Sequence, residues 1–305
     1  MNPKCIDQEK LDVSIVVPVF NRYERLQIVV DSLMSQDFTG SYEIVIIDDG
    51  STDGTGNNLH NVDGKIRVIR QENQGAAAAR HTGVAHAKGD IVVFNDSDDI
   101  AYPDKLQVLF DALQANPHCV AAIAVVKNPS KVDWSPPLWV RELDGSYLVN
   151  NAPLDHFFNN YYPIAAAMNI AVKRDTAYFA SKESEYYRAA NDFHFQFKVA
   201  TKGAIVCVSK ITNEYFVGQG ITTVQGIHTQ AAYALISLAD NYRALGHPPN
   251  FALSVQKRIE NGSSHVLKPL LKSRKFGLLF AVVKNMLRYS RLKQIPRTVW
   301  WAISS

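Results

Sequence analysis

The segment Ile91–Phe94 is a run of apolar, β-forming residues, and three aspartates follow it within four positions, Asp96, Asp98 and Asp99. Such a run is typical of a strand that is buried on both faces, as in a sheet covered by helices. Aspartate is disfavoured inside strands, so the acidic cluster is expected just beyond the strand's end. The carboxylates repel one another. They therefore favour a cation such as Mg²⁺ or Mn²⁺, which binds through carboxylates together with phosphate oxygens.

Strand and helix patterns alternate over the first hundred residues. The predicted strands end in polar or conformationally special loops at 18–21, 48–51, 73–75 and 96–99. This alternation predicts an α/β fold with a mainly parallel central sheet flanked by helices. Open α/β sheets bind ligands in the crevice outside the carboxyl ends of their strands. Taken alone, the aspartate cluster fits a solvated turn, but four such loops at one edge indicate a binding site.

Three local signals predict where the first elements begin and end. Pro18 is expected to stop the first strand, because proline cannot donate to a central ladder. Asn21 is expected to cap the next helix, with Glu24 as its capping-box partner. Gly89 is expected to end, in the left-handed conformation, a helix that begins near Ala76.

Several ligand classes lack their motif in this chain. No G-x-G-x-x-G and no G-x-x-x-x-G-K-S/T occurs, which disfavours a dinucleotide-dependent dehydrogenase and a P-loop NTPase. An EF-hand counted from Asp49 would need Glu where His60 stands, and one counted from Asp96 would need Gly where Ala101 stands. The three cysteines are far apart and suit a reducing compartment. A net charge of +3 gives no argument for nucleic acid as a partner.

The polar loops match a known family in order and spacing over residues 13–106. The segments VSIVVPVFN (13–21), DDGSTD (48–53), NQG (73–75) and DSDD (96–99) resemble the family 2 glycosyltransferases of GT-A fold. The resemblance implies a nucleotide-sugar donor, with a UDP-sugar expected. The residues that would bind it are Pro18, Phe20, Asn21, Glu24, Asp48, Asp49, Gly75, Arg80, Asp96 and Ser97.

The resemblance also implies individual roles for four of the side chains. Asp49 would contact the uracil, and the charge of Arg80 would reach the phosphates. Asp96 and Asp98 are similar to the D-x-D motif that coordinates Mg²⁺ or Mn²⁺ on the donor diphosphate. For Arg80, a surface arginine on a helix is the structural alternative.

The second half of the catalytic unit carries the expected base. Asp192 falls in the first turn of a predicted helix, where the helix dipole favours an anion. The position resembles the general-base aspartate of the family, with Asn191 in place of the usual glutamate; simple capping is the alternative. The aromatic-rich residues 127–162 are expected to form core or an acceptor wall, and 213–220 resemble the family's closing loop.

We therefore predict a catalytic domain over 1–225, with a nucleotide-sugar-binding half (13–106) and an acceptor and base half (107–225), followed by a C-terminal helical region over 226–305. The predicted activity is inverting single displacement that moves a hexosyl or N-acetylhexosaminyl group. The expected acceptor is a hydroxyl of a glycan or lipid-linked saccharide in polysaccharide or glycoconjugate synthesis. A nucleotidyltransferase and a catalytically inactive nucleotide-sugar-binding module are the alternatives.

The C-terminal region mixes basic and apolar residues. Residues 268–301 contain nine Lys and Arg side chains among Leu, Val and Phe, and they end in Trp300 and Trp301. This composition is typical of a helix in the interface of an anionic membrane, and a helical cap on the catalytic domain is the alternative. With no spanning apolar run and a polar N-terminus unlike a signal peptide, we expect a cytoplasmic protein, peripheral on the cytosolic membrane face.

Overall fold

The computed structural model describes residues 11–55, 64–127, 144–159, 168–185, 189–214 and 227–289. The strands in these ranges are β1 (Leu11–Val19), β2 (Tyr42–Asp48), β3 (Ile66–Arg70), β4 (Gly89–Phe94), β5 (Ile100–Ala101), β6 (Cys119–Lys127), β7 (Tyr147–Asn150), β8 (Ile170–Lys173) and β9 (Ala204–Glu214). The helices are α1 (Tyr23–Met34), α2 (Ala76–His86), α3 (Lys105–Ala115), α4 (Pro153–Asn159), α5 (Arg174–Ser184), α6 (Asn191–Ala200), α7 (Ile227–Ala244), α8 (Ala252–Lys272) and α9 (Phe276–Tyr289).

The described strands form one nine-stranded sheet. Its order is β3-β2-β1-β4-β8-β6-β9-β5, and β7 also pairs with β9. The strands β3, β2, β1 and β4 pair in parallel. The strand β8 runs antiparallel between β4 and β6, and β6 and β9 are parallel again. This α/β architecture, with helices on both faces of the sheet, confirms the predicted fold class.

Two hydrophobic layers cover the sheet. In β1, Ile15 and Val17 belong to the layer formed with α1 and α3, whereas Val16 belongs to the opposite layer, with α2, α5 and α6. Successive side chains of a strand point to opposite faces. A strand covered on both sides must therefore be apolar throughout, which explains the unbroken apolar runs in the sequence.

Helices α7, α8 and α9 extend the second of these layers. Leu235, Ile259 and Met286 lie in the same buried cluster as Phe157 of α4 and Phe197 of α6. These three helices therefore pack against α4 and α6. Their contacts cross the predicted domain boundary near residue 225.

The prediction for Pro18 is wrong. The strand β1 continues through Pro18 to Val19, and β2 pairs with it as far as Asp48. On its other side, β4 pairs with β1 only up to Val16. Proline is tolerated at position 18 because the strand has a single neighbour there.

The predicted helix boundaries at Asn21 and Gly89 are also wrong. Helix α1 begins at Tyr23, and Asn21 adopts a positive φ of 50° in the loop before it. Helix α2 ends at His86, and Gly89 is the first residue of β4. A Cβ atom on Gly89 would lie 2.4 Å from the carbonyl carbon of Val13. Glycine is needed at this position for close strand approach and not for ending the helix.

Candidate active site

Reciprocal hydrogen bonds join the loops that follow β1 and β2. The backbone N–H of Asn21 donates to Oγ of Ser51 (2.9 Å), and the N–H of Thr52 donates to Oδ1 of Asn21 (2.8 Å). Asp53 accepts a hydrogen bond from the N–H of Tyr23 at 3.1 Å, in the first turn of α1. The acidic partner of this helix start is thus Asp53 from a neighbouring loop, because the first-turn N–H groups need an acceptor from outside the helix.

The other predicted residues of the first loop differ in exposure. Pro18 is buried in β1, whereas Glu24 is exposed in the first turn of α1. Phe20 is 45% exposed at the carboxyl end of β1. A large aromatic ring in this position offers a flat apolar surface to a ligand at the edge of the sheet.

Asp48 holds the loop after β2. Its side chain is fully buried; Oδ1 accepts from the N–H of Ser51 (2.9 Å) and Oδ2 accepts from Nη1 of Arg70 (2.6 Å). A buried charge requires such pairing. Because both oxygens are engaged, Asp48 fixes the shape of the loop.

Asp49 connects the loop after β2 to the loop after β3. Its Oδ1 atom accepts from Nε2 of Gln71 (2.7 Å) and from the N–H of Gln74 (2.9 Å), and Oδ2 accepts from the N–H of Gly75 (2.8 Å). Gly75 has a φ of 95°, a conformation that favours glycine. A carboxylate offers about four acceptor sites. The three contacts leave one acceptor position, on Oδ2, of a residue that is 3% exposed.

The aspartates after β4 stand among arginines. Oδ1 of Asp96 lies 2.7 Å from Nη2 of Arg80, and Oδ2 of Asp98 lies 3.9 Å from Nη2 of Arg22. Arg25 donates from Nε and Nη2 to the backbone oxygen of Asp98 at 3.2 and 3.1 Å. Ser97 lies between the two aspartates and is half-buried.

The two D-x-D carboxylates are close enough to influence each other. Burial raises the pKa of Asp98, the negative charge of Asp96 raises it further, and Arg22 and Arg25 oppose the rise. The side chains of Asp96 and Asp98 are 25% and 21% exposed, so both can be reached from solvent.

A divalent cation fits the chemistry of this pair. Carboxylate oxygens are the protein ligands that Mg²⁺ and Mn²⁺ prefer. Within the described ranges, no group of three or more His, Cys, Asp or Glu side chains is arranged to hold a metal ion. Asp96 and Asp98 would therefore need phosphate oxygens and water to complete the coordination of a cation.

A buried lysine lies beneath the aspartate turn. Nζ of Lys105 donates to the backbone oxygen of Phe94 (3.1 Å) and to Oδ1 of Asn95 (2.7 Å). Nδ2 of Asn95 in turn donates to the backbone oxygens of Asp96 (2.9 Å) and Asp99 (3.0 Å). Burial lowers the pKa of Lys105 to about 7, although the charges of Asp99 and Asp96 act to raise it. This network supports the turn from below.

Lys105 was not among the residues predicted from the sequence. The sequence does contain a signal for its burial, because Leu109 and Ala112, on the buried side of α3, lie four and seven positions later. A lysine in register with a buried helix face indicates an internal partner, because lysine is almost never fully buried without one.

Arg80 joins the two halves of the site. It is 8% exposed, so the alternative of a surface arginine is wrong. Beside its contact with Asp96, Nη1 of Arg80 donates to Oδ1 of Asn191 at 2.7 Å. Its Nε atom is buried and has no hydrogen-bond partner among the described residues. A buried donor of this kind fits an anionic ligand such as a phosphate.

Asp192 lies in the first turn of α6, as predicted, directly after Asn191. Its Oδ1 atom accepts from the N–H of Phe193 at 2.8 Å. Burial raises the pKa of Asp192 and the charge of Asp96 adds to the rise, while the Phe193 N–H and Arg80 act against it. A carboxylate with a raised pKa is a stronger proton acceptor than an ordinary aspartate.

Contacts with α7 hold the start of α6. The N–H of Ala190 donates to Oε1 of Gln230 at 2.6 Å, and Nδ1 of His194 lies 2.7 Å from Oγ of Ser237. Burial lowers the pKa of His194 to about 3, and the charge of Lys198 lowers it further. The helix that carries Asp192 is thus anchored on one side by a neutral histidine, which the sequence analysis did not identify.

The aromatic residues predicted as core or acceptor wall divide into two groups. Phe157 and Phe158 are fully buried and pack on Phe197 of α6, with ring centroids 5.0 and 5.2 Å away. They are therefore core. Trp134, Trp139, Tyr161 and Tyr162, and the closing-loop residues 215–220, lie outside the described residues.

Solved structures resemble this chain over nearly its whole length. S. aureus TarS 1–349 in complex with UDP has a TM-score of 0.63 at 17% identity, covering 96% of this chain and 87% of that one. The complex of the same TarS segment with UDP-GlcNAc has a TM-score of 0.57 at 17% identity, covering 92% and 89%. At this identity the likeness shows the fold, which is that of a GT-A-type glycosyltransferase.

Curated relatives match about a third of the chain. Glycosyltransferase GlyG of Streptococcus pneumoniae is 36% identical over 106 residues, 33% of this chain and 35% of that protein. An uncharacterized glycosyltransferase of Rickettsia felis is 37% identical over 106 residues, 34% of this chain and 17% of that protein. The match therefore spans between 17% and 35% of the lengths of these relatives.

The family follows from a longer match. The sequence profile of Glycosyl transferase family 2 matches residues 14–176, which is just over half of the 305 residues. The chain therefore belongs to this family.

Proposed function

We propose that this enzyme transfers a sugar from a UDP-sugar to a hydroxyl group by inverting single displacement, with Asp192 as the general base. One observation carries the proposal: the guanidinium of Arg80 bonds both Asp96 and Asn191. This contact brings the D-x-D carboxylates to the start of α6, where Asp192 has a raised pKa. The proposed diphosphate site and the proposed proton acceptor would thus share one location.

The donor would lie across the carboxyl ends of β1, β2 and β4. The remaining acceptor site on Oδ2 of Asp49 suits the N–H of a uracil, and the exposed ring of Phe20 suits an aromatic base. The buried Nε of Arg80 suits a phosphate oxygen. The TarS complexes with UDP and UDP-GlcNAc support a uridine nucleotide, because the folds are alike.

The reaction would proceed in one step. Asp192 takes the proton of the acceptor hydroxyl as the oxygen attacks the anomeric carbon. The bond from that carbon to the diphosphate breaks, and the nucleoside diphosphate leaves with the bonding electrons. A Mg²⁺ or Mn²⁺ ion bound by Asp96 and Asp98 would supply positive charge that stabilises the leaving diphosphate. Attack opposite to the leaving group inverts the anomeric configuration.

The acceptor that we propose is a hydroxyl of a glycan or of a lipid-linked saccharide, as in polysaccharide or glycoconjugate synthesis. The group transferred would be a hexose or an N-acetylhexosamine. The half of the chain that follows the D-x-D motif carries Asp192 and would shape the acceptor side.

A donor screen tests the proposal. Purified protein with Mn²⁺ is incubated with UDP-, GDP-, TDP- and CMP-sugars, and release of the nucleotide is measured without an acceptor, since slow hydrolysis suffices. We expect release from one or more UDP-sugars and none from the Asp98→Ala variant.

Other outcomes would identify the alternatives. Binding of UDP without turnover of any donor, also in the presence of saccharide acceptors, would indicate an inactive nucleotide-sugar-binding module. Formation of a UDP-sugar and pyrophosphate from UTP and a sugar phosphate would indicate a nucleotidyltransferase. Release from GDP- or TDP-sugars alone would contradict the assignment of uracil to Asp49.

A further inference from the structure

Helix α9 has one buried face and one exposed apolar face. Val282 and Met286 are buried in the cluster that α9 shares with α7 and α8. Phe276, Phe280 and Leu287 are 59%, 71% and 53% exposed. Exposed apolar side chains of this size on one helix are a signature of an interaction surface. We refer to these three residues as the α9 stripe.

The helical periodicity places the α9 stripe in one row. At about 100° per residue, Phe276, Leu287 and Phe280 fall within about 40° of one another around the axis. Lys284 and Arg288 follow on the next part of the same exposed surface, about 40° and 80° beyond Phe280. The exposed side of α9 is therefore divided lengthwise into an apolar row and a basic row.

The charged residues are distributed unequally along the chain, and α9 lies in its most basic part. All 29 Asp and Glu residues lie within 1–260, together with 23 of the 32 Lys and Arg residues. The segment 261–305 carries the other nine basic residues and no acidic one. In the described part of this segment, Lys272, Arg274, Lys284 and Arg288 are exposed. The segment that contains the α9 stripe thus carries only positively charged side chains.

We propose that the α9 stripe docks the enzyme on the anionic leaflet of a membrane. An apolar row beside a basic row is the arrangement by which a helix lies in the interface, with its apolar side chains at the acyl boundary and its cations at anionic headgroups. Among the described residues no helix is long and apolar enough to cross a bilayer. The buried face of α9 is packed against α7 and α8, so the docking surface is already folded before it meets lipid.

The test is co-sedimentation of the full chain with vesicles of phosphatidylcholine, with and without phosphatidylglycerol. We expect binding to the anionic vesicles at low salt, and weaker binding at high salt because the attraction is screened. Phe276→Gln, Phe280→Gln and Leu287→Gln together should lower the partition coefficient about tenfold or more. Lys284→Gln with Arg288→Gln should reduce the preference for phosphatidylglycerol.

The single variant Phe280→Gln is also measured, and Ile28→Gln is its matched control. Ile28 is 48% exposed on α1, which packs on the opposite face of the sheet. The control should bind vesicles as the wild type does. Far-ultraviolet circular dichroism and melting temperature show whether each variant is folded. A fluorescent probe on Phe280→Cys should shift to the blue with anionic vesicles.

Three results would overturn the proposal. The full chain could stay in the supernatant with anionic vesicles at low salt. It could bind, but equally well after loss of the α9 stripe, which would place the contact elsewhere, for example in residues 290–305. Light scattering could show a dimer that only the triple variant disrupts, in which case a second copy of the chain covers the stripe. None of these measurements depends on glycosyl transfer.

Discussion

Arg80 donates a 2.7 Å hydrogen bond to Asn191, a residue 111 positions further along the chain. The same guanidinium contacts Asp96 at 2.7 Å. The amide oxygen of Asn191 accepts from arginine without adding a negative charge beside Asp96 and Asp192. The planar fork of arginine can hold both partners at once, which a lysine cannot do in the same geometry.

The first prediction concerns this fork. Arg80→Met should lower kcat/KM for transfer about 10- to 150-fold, because a hydrogen bond to a charged group contributes about 1.5–3 kcal/mol. Arg80→Lys should recover only part of the loss. Asn191→Ala, which removes one of the two contacts, should fall between wild type and Arg80→Met. Wild-type kinetics in Arg80→Met would contradict the bridging role.

The second prediction concerns the metal. Chelation by EDTA should stop nucleotide release, and added Mn²⁺ or Mg²⁺ should restore it, because the leaving diphosphate needs a counter-charge. Asp98→Ala should nearly abolish both turnover and the effect of Mn²⁺ on donor affinity. Asp90→Asn, at the opposite end of β4 and exposed, should behave as wild type. Full turnover in EDTA would remove the metal from the mechanism.

The third prediction concerns Asp49. Asp49→Asn should weaken UDP binding by about 1.5–3 kcal/mol in calorimetry, the range for hydrogen bonds to charged groups. Glu72→Gln, an exposed acid in the next loop, should leave the affinity unchanged. Asp49 also holds Gln71, Gln74 and Gly75. The melting temperature of the unliganded variant is therefore needed to show how much of the affinity loss comes from disturbed loops. An unaltered UDP affinity would mean that Asp49 only organises the loops.

The fourth prediction concerns the base. Asp192→Asn should cut transfer by a factor of about 10²–10⁴, the usual contribution of general base catalysis, with donor affinity unchanged. Asp175→Asn offers a control, since Asp175 is an exposed acid in the first turn of α5. If the two variants lose stability alike and transfer survives in both, Asp192 has only a capping role.

The fifth prediction concerns pH. Burial lowers the pKa of His194 from its ordinary value of 6.5 to about 3 in the folded protein. Its contribution to stability is therefore present above pH 6.5 and is lost as the pH falls below it. Between pH 7 and pH 5, wild type should lose about 2 kcal/mol more unfolding free energy than His194→Asn in urea denaturation. His228→Asn, an exposed histidine on α7, should follow wild type.

The parts of the site that the sequence predicted are encoded locally. The aspartates at 96–99 follow an apolar run, and Asp192 follows from a helix start and a family motif, so a short window contains each signal. The positions of β2 and β3, and the α/β fold itself, are predictable for the same reason. Residue type and spacing suffice where neighbours in sequence are also neighbours in space.

The contacts that sequence reasoning missed connect distant segments. Asp53 caps a helix that starts 30 positions before it, and Asn213 donates to Asn95 across 118 positions. Neither residue has a local pattern that would reveal its partner. Lys105 differs from these residues, because its register with Leu109 and Ala112 is a local signal for burial. Its partners, the backbone oxygen of Phe94 and the side chain of Asn95, precede the helix and carry no such signal.

Helix α6 carries Asp192 at its start and is fastened to α7 through His194, Ser237 and Gln230. Helix α6 and the C-terminal helices therefore form one structural unit. We expect a chimaera with a relative to remain active when the crossover point precedes α4 and α6. A crossover at residue 226 would replace Val266, Leu267 and Leu270, and deletion of 266–305 would remove them. In either case α4 and α6 would lose native packing partners in their shared core. Acceptor preference and surface attachment are thus expected to change together during evolution.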